Sequence, residues 1–174
     1  AERCWRLNTK CVYSTYDIGA GTLRPVSGAA ALQMFAAFSP DARRVGFVRD
    51  NNIFVADPVA GTERQLTFDG SENIINGTSD WVYEEELGVR SAWRWSPDGR
   101  HIAYWRFDQS AIRPFYMIDE LDTYSEPIAL RYPKAGTGNS QVEIRVVEVA
   151  TGETRTIPVD AGDGYIARME WAAS

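Results

Sequence analysis

The sequence predicts an all-β fold, a partial β-propeller of about three four-stranded blades with a short helix that carries an acidic motif. A repeat supports this prediction: an aromatic strand end, a Ser-Pro-Asp turn and an apolar return strand occur at residues 35–49 and again at 92–105. Proline presets the φ angle of such a turn, and aspartate caps it with its side chain. A β-sandwich would also accommodate the strands, but it would not explain the recurrent turn.

The other predicted strands fill the space between the repeats, in roughly the number that three blades need. They alternate in polarity or carry β-branched residues, and they are residues 12–18, 52–56, 64–68, 114–118, 127–131, 141–149 and 153–157. A third copy of the repeat begins at residues 165–171. The copies lie about 57 and 76 residues apart, a spacing that suits blades with insertions. Residues 81–87 form the only convincing helical stretch.

Composition limits the classes of function. The 174 residues are enough for one domain with a real core. A formal charge of −6 argues against a nucleic-acid partner, because phosphates require clustered Lys and Arg. No apolar run approaches the roughly 18 residues of a membrane-spanning helix, so membrane contact is not indicated. The first five residues lack the apolar core of a signal peptide, which leaves the compartment open.

The two cysteines, Cys4 and Cys11, suit neither a CxxC redox pair nor a zinc site with four ligands. They would face each other across a hairpin closed by residues 6–10, which would allow a disulfide. Two free thiols on neighbouring strand positions fit the spacing as well. The sequence does not decide between them, because a disulfide requires a specific geometry.

The acidic motif at residues 80–86 is the strongest functional signal in the chain. Three consecutive carboxylates follow two large aromatic residues, and the aromatics lower the local dielectric and sharpen the repulsion between the carboxylates. One interpretation is a solvated acidic helix start, since Glu runs are common. The other is a receptor for a cation, either a primary ammonium group or a metal ion.

Residues 76–86, Asn-Gly-Thr-Ser-Asp-Trp-Val-Tyr-Glu-Glu-Glu, closely resemble the glutamate motif in the β-propeller of the dipeptidyl peptidase IV family. The similarity covers nearly the whole chain. Further matches follow in order at residues 16–18, 38–40, 52–55, 95–99, 102–104 and 132–136, the last followed by Asn139. The resemblance implies that residues 1–174 are an incomplete N-terminal propeller and that the hydrolase domain is absent from this chain.

The resemblance also implies a division of labour. In that family an eight-bladed propeller caps an α/β-hydrolase domain, which releases N-terminal X-Pro or X-Ala dipeptides with a Ser, Asp and His triad. By their position in the motif, Glu85 and Glu86 would bind the N-terminal ammonium group of the peptide. The residues expected to support this pair are Trp81, Tyr83 and Glu84.

In this family an arginine near the start of the propeller segment usually helps to hold the substrate carbonyl. The spacing to residues 16–18 admits two alignments, so either Arg6 or Lys10 would fill this role. Lysine would provide a point charge in place of the planar guanidinium fork. A basic residue on a solvated hairpin is the alternative interpretation.

No catalytic residue is expected in this chain. It contains no Gly-x-Ser-x-Gly nucleophile elbow, and its only histidine, His101, opens a return strand after a turn. The resemblance implies no metal or organic cofactor. The expected partners are peptide N-termini, an α/β-hydrolase domain and further copies of the chain in a homo-oligomer, in a periplasmic or secreted setting more than a cytoplasmic one. A standalone peptide- or protein-binding propeller fragment without catalysis is the alternative function.

Overall fold

The computed structural model describes residues 1–4, 8–159, 161–162 and 164–172. Short strands dominate this part of the chain, and its helix is brief. In chain order the elements are β1 Glu2–Cys4, β2 Asn8–Lys10, β3 Ser14–Asp17, β4 Thr22–Pro25, β5 Met34–Phe38, β6 Val45–Arg49, β7 Asn52–Asp57, β8 Thr62–Gln65, β9 Ile74–Asn76, α1 Trp81–Glu85, β10 Trp93–Trp95, β11 His101–Asp108, β12 Pro114–Asp119, β13 Glu126–Arg131, β14 Gln141–Glu148 and β15 Thr154–Ile157.

The strands form antiparallel sheets that do not close on themselves. The first large sheet has the order β5-β6-β7-β8, and each strand pairs with its neighbour in sequence. The second has the order β10-β11-β14-β15, with β9 also paired to β11. The pairs β1–β2, β3–β4 and β12–β13 are two-stranded. This open all-β arrangement, with a short helix at the acidic motif, confirms the predicted fold class.

The two Ser-Pro-Asp turns have the same hydrogen bonds. The hydroxyl of Ser39 donates to Asp41 Oδ1 at 2.6 Å, and that of Ser96 donates to Asp98 Oδ1 at the same distance. Each serine hydroxyl also accepts from the backbone N–H that opens the return strand, from Arg44 in the first turn and from His101 in the second. The hydroxyl of Ser39 lowers the pKa of Asp41. The predicted repeat is therefore a structural one, and His101 belongs to it.

The two large sheets pack face to face around a shared apolar core. Gly46 of β6 leaves room for the indole of Trp93, and Trp95 Nε1 donates to the carbonyl of Ala37 at 3.2 Å. The buried members of this core are Met34, Val48, Ile53, Val55, Leu66, Trp93, Ile102, Tyr104, Val147 and Val149.

Arg64 of β8 joins the edges of the two sheets through backbone oxygens. Its Nη1 donates to the carbonyl of Val149 at 3.1 Å and to that of Ala150, and its Nη2 donates to the carbonyl of Thr151 at 2.6 Å. These oxygens lie in the turn between β14 and β15. The guanidinium group therefore fixes the position of one sheet against the other.

The predicted third repeat copy, residues 165–171, forms no strand in the described part of the chain. It runs along the second sheet, where Trp105 Nε1 donates to the carbonyl of Ile166 at 2.8 Å and Trp171 Nε1 donates to that of Arg94 at 3.3 Å. Ile166 and Met169 pack against the apolar cluster around Trp105. The segment thus covers one side of the second sheet.

The backbone pairing does not place the two cysteines opposite each other, the first of the two alternatives for them. The backbone of Cys4 pairs with that of Asn8 between β1 and β2, whereas that of Cys11 pairs with Gln33. Cys11 has a free thiol.

Among the described residues, no helix has the length and apolar character to cross a membrane.

Candidate functional site

The acidic motif rises from an interruption in one edge of the second sheet. Strand β9 pairs with the end of β11 at residues 106–108, and β10 pairs with its start at residues 102–104. The chain leaves the sheet after Gly77 and returns at Ala92, whose N–H donates to the carbonyl of Gly77 at 3.0 Å. An isolated bridge between Thr78 and Ser91 follows. Residues 78–91 therefore form a loop outside the sheet whose two ends are paired with each other, and α1 lies within this loop.

Gly77 makes this exit possible. Its φ angle is +76°, which L side chains rarely adopt. A Cβ atom there would lie 2.9 Å from both Ile53 Cγ1 and Val48 Cγ2 of the first sheet. The glycine therefore lets the backbone turn away from β11 while it stays in contact with the core.

Asp80 begins the helix and ties it to a distant loop. Its Oδ1 accepts from the N–H of Tyr83 at 2.9 Å, as an N-cap does, and its Oδ2 accepts from the hydroxyl of Ser140 at 2.6 Å. Only 5% of Asp80 is exposed. Burial raises the pKa of Asp80, although the hydrogen bond from Ser140 acts against the rise.

The two aromatic residues of the motif pack the helix against neighbouring side chains. Tyr83 is buried against Phe107, with ring centroids 4.8 Å apart, and its hydroxyl accepts from the N–H of Ile166 at 2.9 Å. Trp81 contacts Tyr132 edge-on at 4.4 Å. Both aromatic side chains therefore hold the helix in place, and their support of a substrate-binding pair stays a prediction.

The three glutamates have different environments. Glu84 is 4% exposed, Glu85 is half-buried as the last residue of α1, and Glu86 is exposed at the C-cap. Burial, followed by the charge of Glu85, raises the pKa of Glu84, whereas Asn8 and Arg90 act to lower it. Within the described residues no donor makes a well-aligned hydrogen bond to either Glu84 oxygen, although the Asn8 side chain lies beside them.

The position of Glu85 and Glu86 opposes the electrostatics of the helix. Carbonyl groups give the C-terminal end of a helix a partial negative charge, which favours Lys or Arg there. The structure describes residues 8–159 without a gap, and within this stretch the last turn of α1 contains no basic residue. Helix stability therefore does not account for two carboxylates at this end.

Of the two basic candidates, the structure describes only Lys10. Arg6 lies outside the described residues. Lys10 pairs with Glu2 in the β1–β2 hairpin, and its side chain lines a cavity together with Met34 and Asn51. In the described ranges Lys10 makes no ion pair.

A cavity of about 890 Å³ lies on the Trp81 side of the helix. Phe115, Tyr132 and Lys134 are among the residues that line it, and Tyr132 is the ring that contacts Trp81. Neither Glu85 nor Glu86 lines this cavity. Over the described ranges, no group of three or more His, Cys, Asp or Glu side chains is arranged to hold a metal ion.

Four residues around the acidic helix were not predicted as site residues: Asp80, Ser140, Asn8 and Arg90. An acidic residue immediately before a helix is a recognised N-cap signal and would have indicated Asp80. The other three carry no local signal. Asn8 accepts a hydrogen bond from Arg90 across 82 positions of sequence, and Ser140 lies 60 positions from its partner.

Comparison with known proteins gives a consistent result. The family described as "Dipeptidyl peptidase IV (DPP IV) N-terminal region" matches residues 1–174. The chain is 38% identical over 170 residues to a probable dipeptidyl peptidase 4 of Aspergillus fumigatus, which covers 91% of this chain and 22% of that protein. It is 36% identical over 155 residues to dipeptidyl aminopeptidase B of Saccharomyces cerevisiae, which covers 85% and 18%.

A solved structure resembles the chain in three dimensions as well. The crystal structure of Porphyromonas gingivalis dipeptidyl peptidase 4 superposes with a TM-score of 0.88 and 40% sequence identity, over 96% of this chain and 24% of that one. The chain therefore spans about a fifth to a quarter of the length of these relatives.

Proposed function

Because the chain belongs to the family of dipeptidyl peptidase IV N-terminal regions, we propose that it is the substrate-recognition part of a serine-type dipeptidyl peptidase. In this proposal Glu85 and Glu86 bind the free N-terminal ammonium group of a peptide. An α/β-hydrolase domain of the longer protein then releases an N-terminal X-Pro or X-Ala dipeptide. The chain itself supplies no catalytic residue.

The observation that carries the proposal is the placement of two adjacent carboxylates at the C-terminal end of a firmly held helix. An α-amino group has a pKa of about 7.7–8.0 and is mostly charged at neutral pH. Paired carboxylates give it charge-assisted hydrogen bonds. The helix is held by Asp80 and Tyr83, so the backbone of the acidic motif does not need to be ordered when the peptide binds.

A fixed ammonium site would also determine which peptide bond is cleaved. When the first amino group is anchored, the distance along the peptide determines which bond reaches the nucleophile. Release of dipeptides follows if that nucleophile lies two residues away. In this proposal a basic residue, either Arg6 or Lys10, holds the substrate carbonyl between these points.

The proposal is tested by Glu85→Gln and Glu86→Gln in the full-length protein, with a chromogenic X-Pro substrate. Each variant removes a charged acceptor, and kcat/KM should fall about 10- to 100-fold or more. Glu153→Gln is the matched control, since that exposed carboxylate lies in the turn between β14 and β15. Thermal unfolding should be unchanged in all three. Wild-type kinetics in both motif variants would refute the ammonium role.

The alternative function, a peptide-binding module without catalysis, gives a different result. Calorimetry with a free and an N-acetylated X-Pro peptide measures the dependence of binding on the amine. Binding of the free peptide without dipeptide release by the full-length protein would support the alternative. If acetylation makes no difference, the acidic motif has a structural role only.

We also infer that the protein forms a homo-oligomer. The β12–β13 hairpin exposes large apolar side chains, and the most exposed of these are Tyr116, Met117, Ile118, Leu121 and Tyr124. Apolar patches of this kind and open strand edges favour association. Light scattering of the full-length protein should give a mass of two or more chains, and a monomer at all concentrations would contradict the inference.

A further inference from the structure

Two arginines and two carboxylates form a closed ring of alternating charge, the charge ring, where the chain enters the second sheet. Asp69 Oδ2 lies 2.7 Å from Arg106 Nε and 3.6 Å from Arg145 Nη1. Glu143 Oε2 lies 2.7 Å from Arg145 Nη2 and 4.0 Å from Arg106 Nη1, which completes the ring. The arginines and Glu143 belong to β11 and β14, whereas Asp69 lies in the segment between β8 and β9. The charge ring therefore fixes that segment to the second sheet, because a network of charges orders the groups that it joins.

Asp69 connects the charge ring to β9 through its other oxygen. Its Oδ1 accepts from Asn76 Nδ2 at 2.9 Å. Asn76 is the last residue of β9 and is fully buried. The same Nδ2 also donates, at 3.2 Å, to the carbonyl of Asn51 in the turn between β6 and β7. The side chain of Asn76 is therefore held between the first sheet and the charge ring.

This side chain fixes the register of a very short strand. Three backbone pairs join β9 to β11, so the register depends strongly on the side chains of β9. Ile75 packs into an apolar cluster on one face of the strand, and Asn76 bonds to Asp69 on the other. A slip of one residue would exchange these faces and break the bond to Asp69. In the observed register the N–H of Gly77 donates to the carbonyl of Trp105 at 3.2 Å, and the chain leaves the sheet at this point.

We propose that Asp69 is a positioning residue for the ammonium site, and that it acts through Asn76 to fix where the loop of residues 78–91 leaves the second sheet. This inference rests on the proposed function. The loop carries Glu85 and Glu86, so a shift of its starting point would move both carboxylates relative to the rest of a bound peptide. Asp69 itself does not contact the substrate. Its charge serves the charge ring, and its Oδ1 serves the position of the loop.

The test separates these two roles in the full-length protein with the chromogenic X-Pro substrate. Asp69→Ala removes the ring charge and the bond to Asn76, and it should raise KM about tenfold. The value of kcat should stay within about twofold, since weaker binding of ground and transition states alike leaves kcat unchanged. Asp69→Asn keeps an amide oxygen for Asn76 and should restore KM to within about twofold of the wild type. Glu143→Ala is the matched control, because it removes the other ring carboxylate without a change at Asn76, and its KM should equal that of the wild type.

Asn76→Ala breaks the same bond from its other end and leaves the charge ring intact, so it tests the proposal if Asp69→Ala does not fold. It should also raise KM. If Asp69→Ala and Asn76→Ala keep the wild-type KM while Glu85→Gln loses activity, the positioning role is refuted and the proposed function stands. An equal rise of KM in Asp69→Ala and either Asp69→Asn or Glu143→Ala would also refute the role, because the ring charge would then account for the effect. If Glu85→Gln and Glu86→Gln both behave as wild type, the proposed function itself fails.

Discussion

Replacing Asp80 with alanine should destabilise the protein and release the acidic helix from the loop that holds it. Asp80 makes two contacts, the N-cap bond from the N–H of Tyr83 and the 2.6 Å bond from the hydroxyl of Ser140. Loss of the cap costs about 1 kcal/mol. Loss of a hydrogen bond to a charged group costs about 1.5–3 kcal/mol.

These costs are partly offset, since the buried carboxylate disfavours its own charge. The raised pKa of Asp80 shows that burial penalises the ionised form in the folded state. Removal of the carboxylate relieves this penalty, so we expect a net loss of about 2 kcal/mol in the free energy of unfolding. Asp80→Asn keeps an acceptor oxygen for Tyr83 and should lose less than about 1 kcal/mol, because both residues are good N-caps.

Urea unfolding followed by tryptophan fluorescence measures these differences, as the chain has six tryptophans. Ser140→Ala should remove only the second contact. The double variant of Asp80 and Ser140 should be less destabilised than the sum of the single variants, with a coupling of about 0.5–3 kcal/mol. An Asp80→Ala protein within about 0.5 kcal/mol of the wild type would refute the view that Asp80 anchors the helix.

Two further predictions concern the sheet interface and the buried glutamate. Gly46→Ala places a Cβ 2.7 Å from Trp93 Cη2, and this overpacking should cost about 1–3 kcal/mol in urea unfolding. Gly138→Ala is its control, because a Cβ there meets open space, and equal effects would contradict the packing argument. Glu84→Gln should raise the free energy of unfolding at pH 7. The pKa of Glu84 is raised in the folded state, so the wild type loses stability as the pH rises through that pKa and the carboxyl ionises. Glutamine does not ionise and avoids this loss. The gain over the wild type should disappear below the ordinary value of 4.5, and a gain that grows on acidification would contradict the reasoning.

The strands and turns of the fold were predictable because their signals are local. Residues 141–149 alternate in polarity and form β14 at Gln141–Glu148, and residues 114–118 form β12 at Pro114–Asp119. The Ser-Pro-Asp turns were predictable for the same reason. Each depends on a hydroxyl and a carboxylate two positions apart.

The construction of the candidate site was not predictable in the same way. The sequence indicates an acidic helix, but not that β9 and β10 are two halves of one edge, because that fact depends on their shared pairing with β11. The roles of Asn8 and Ser140 likewise depend on tertiary contacts. Their residue types are ordinary on short strands and loops, so only the three-dimensional arrangement distinguishes them.

The bond pattern of Arg64 has a consequence for how this protein tolerates sequence change. The guanidinium group recognises main-chain oxygens at positions 149–151, which every amino acid provides. Substitutions at Ala150 should therefore be tolerated without loosening the joint between the sheets. Thr151 and Gly152 are different. The Thr151 hydroxyl donates to Glu148 Oε2 at 2.6 Å and accepts from the N–H of Glu153 at 3.1 Å. The φ angle of Gly152 is +82°, and an added Cβ would lie 3.2 Å from Arg64 Nη2. Selection at this corner should therefore act on Arg64, Thr151 and Gly152 and leave position 150 variable.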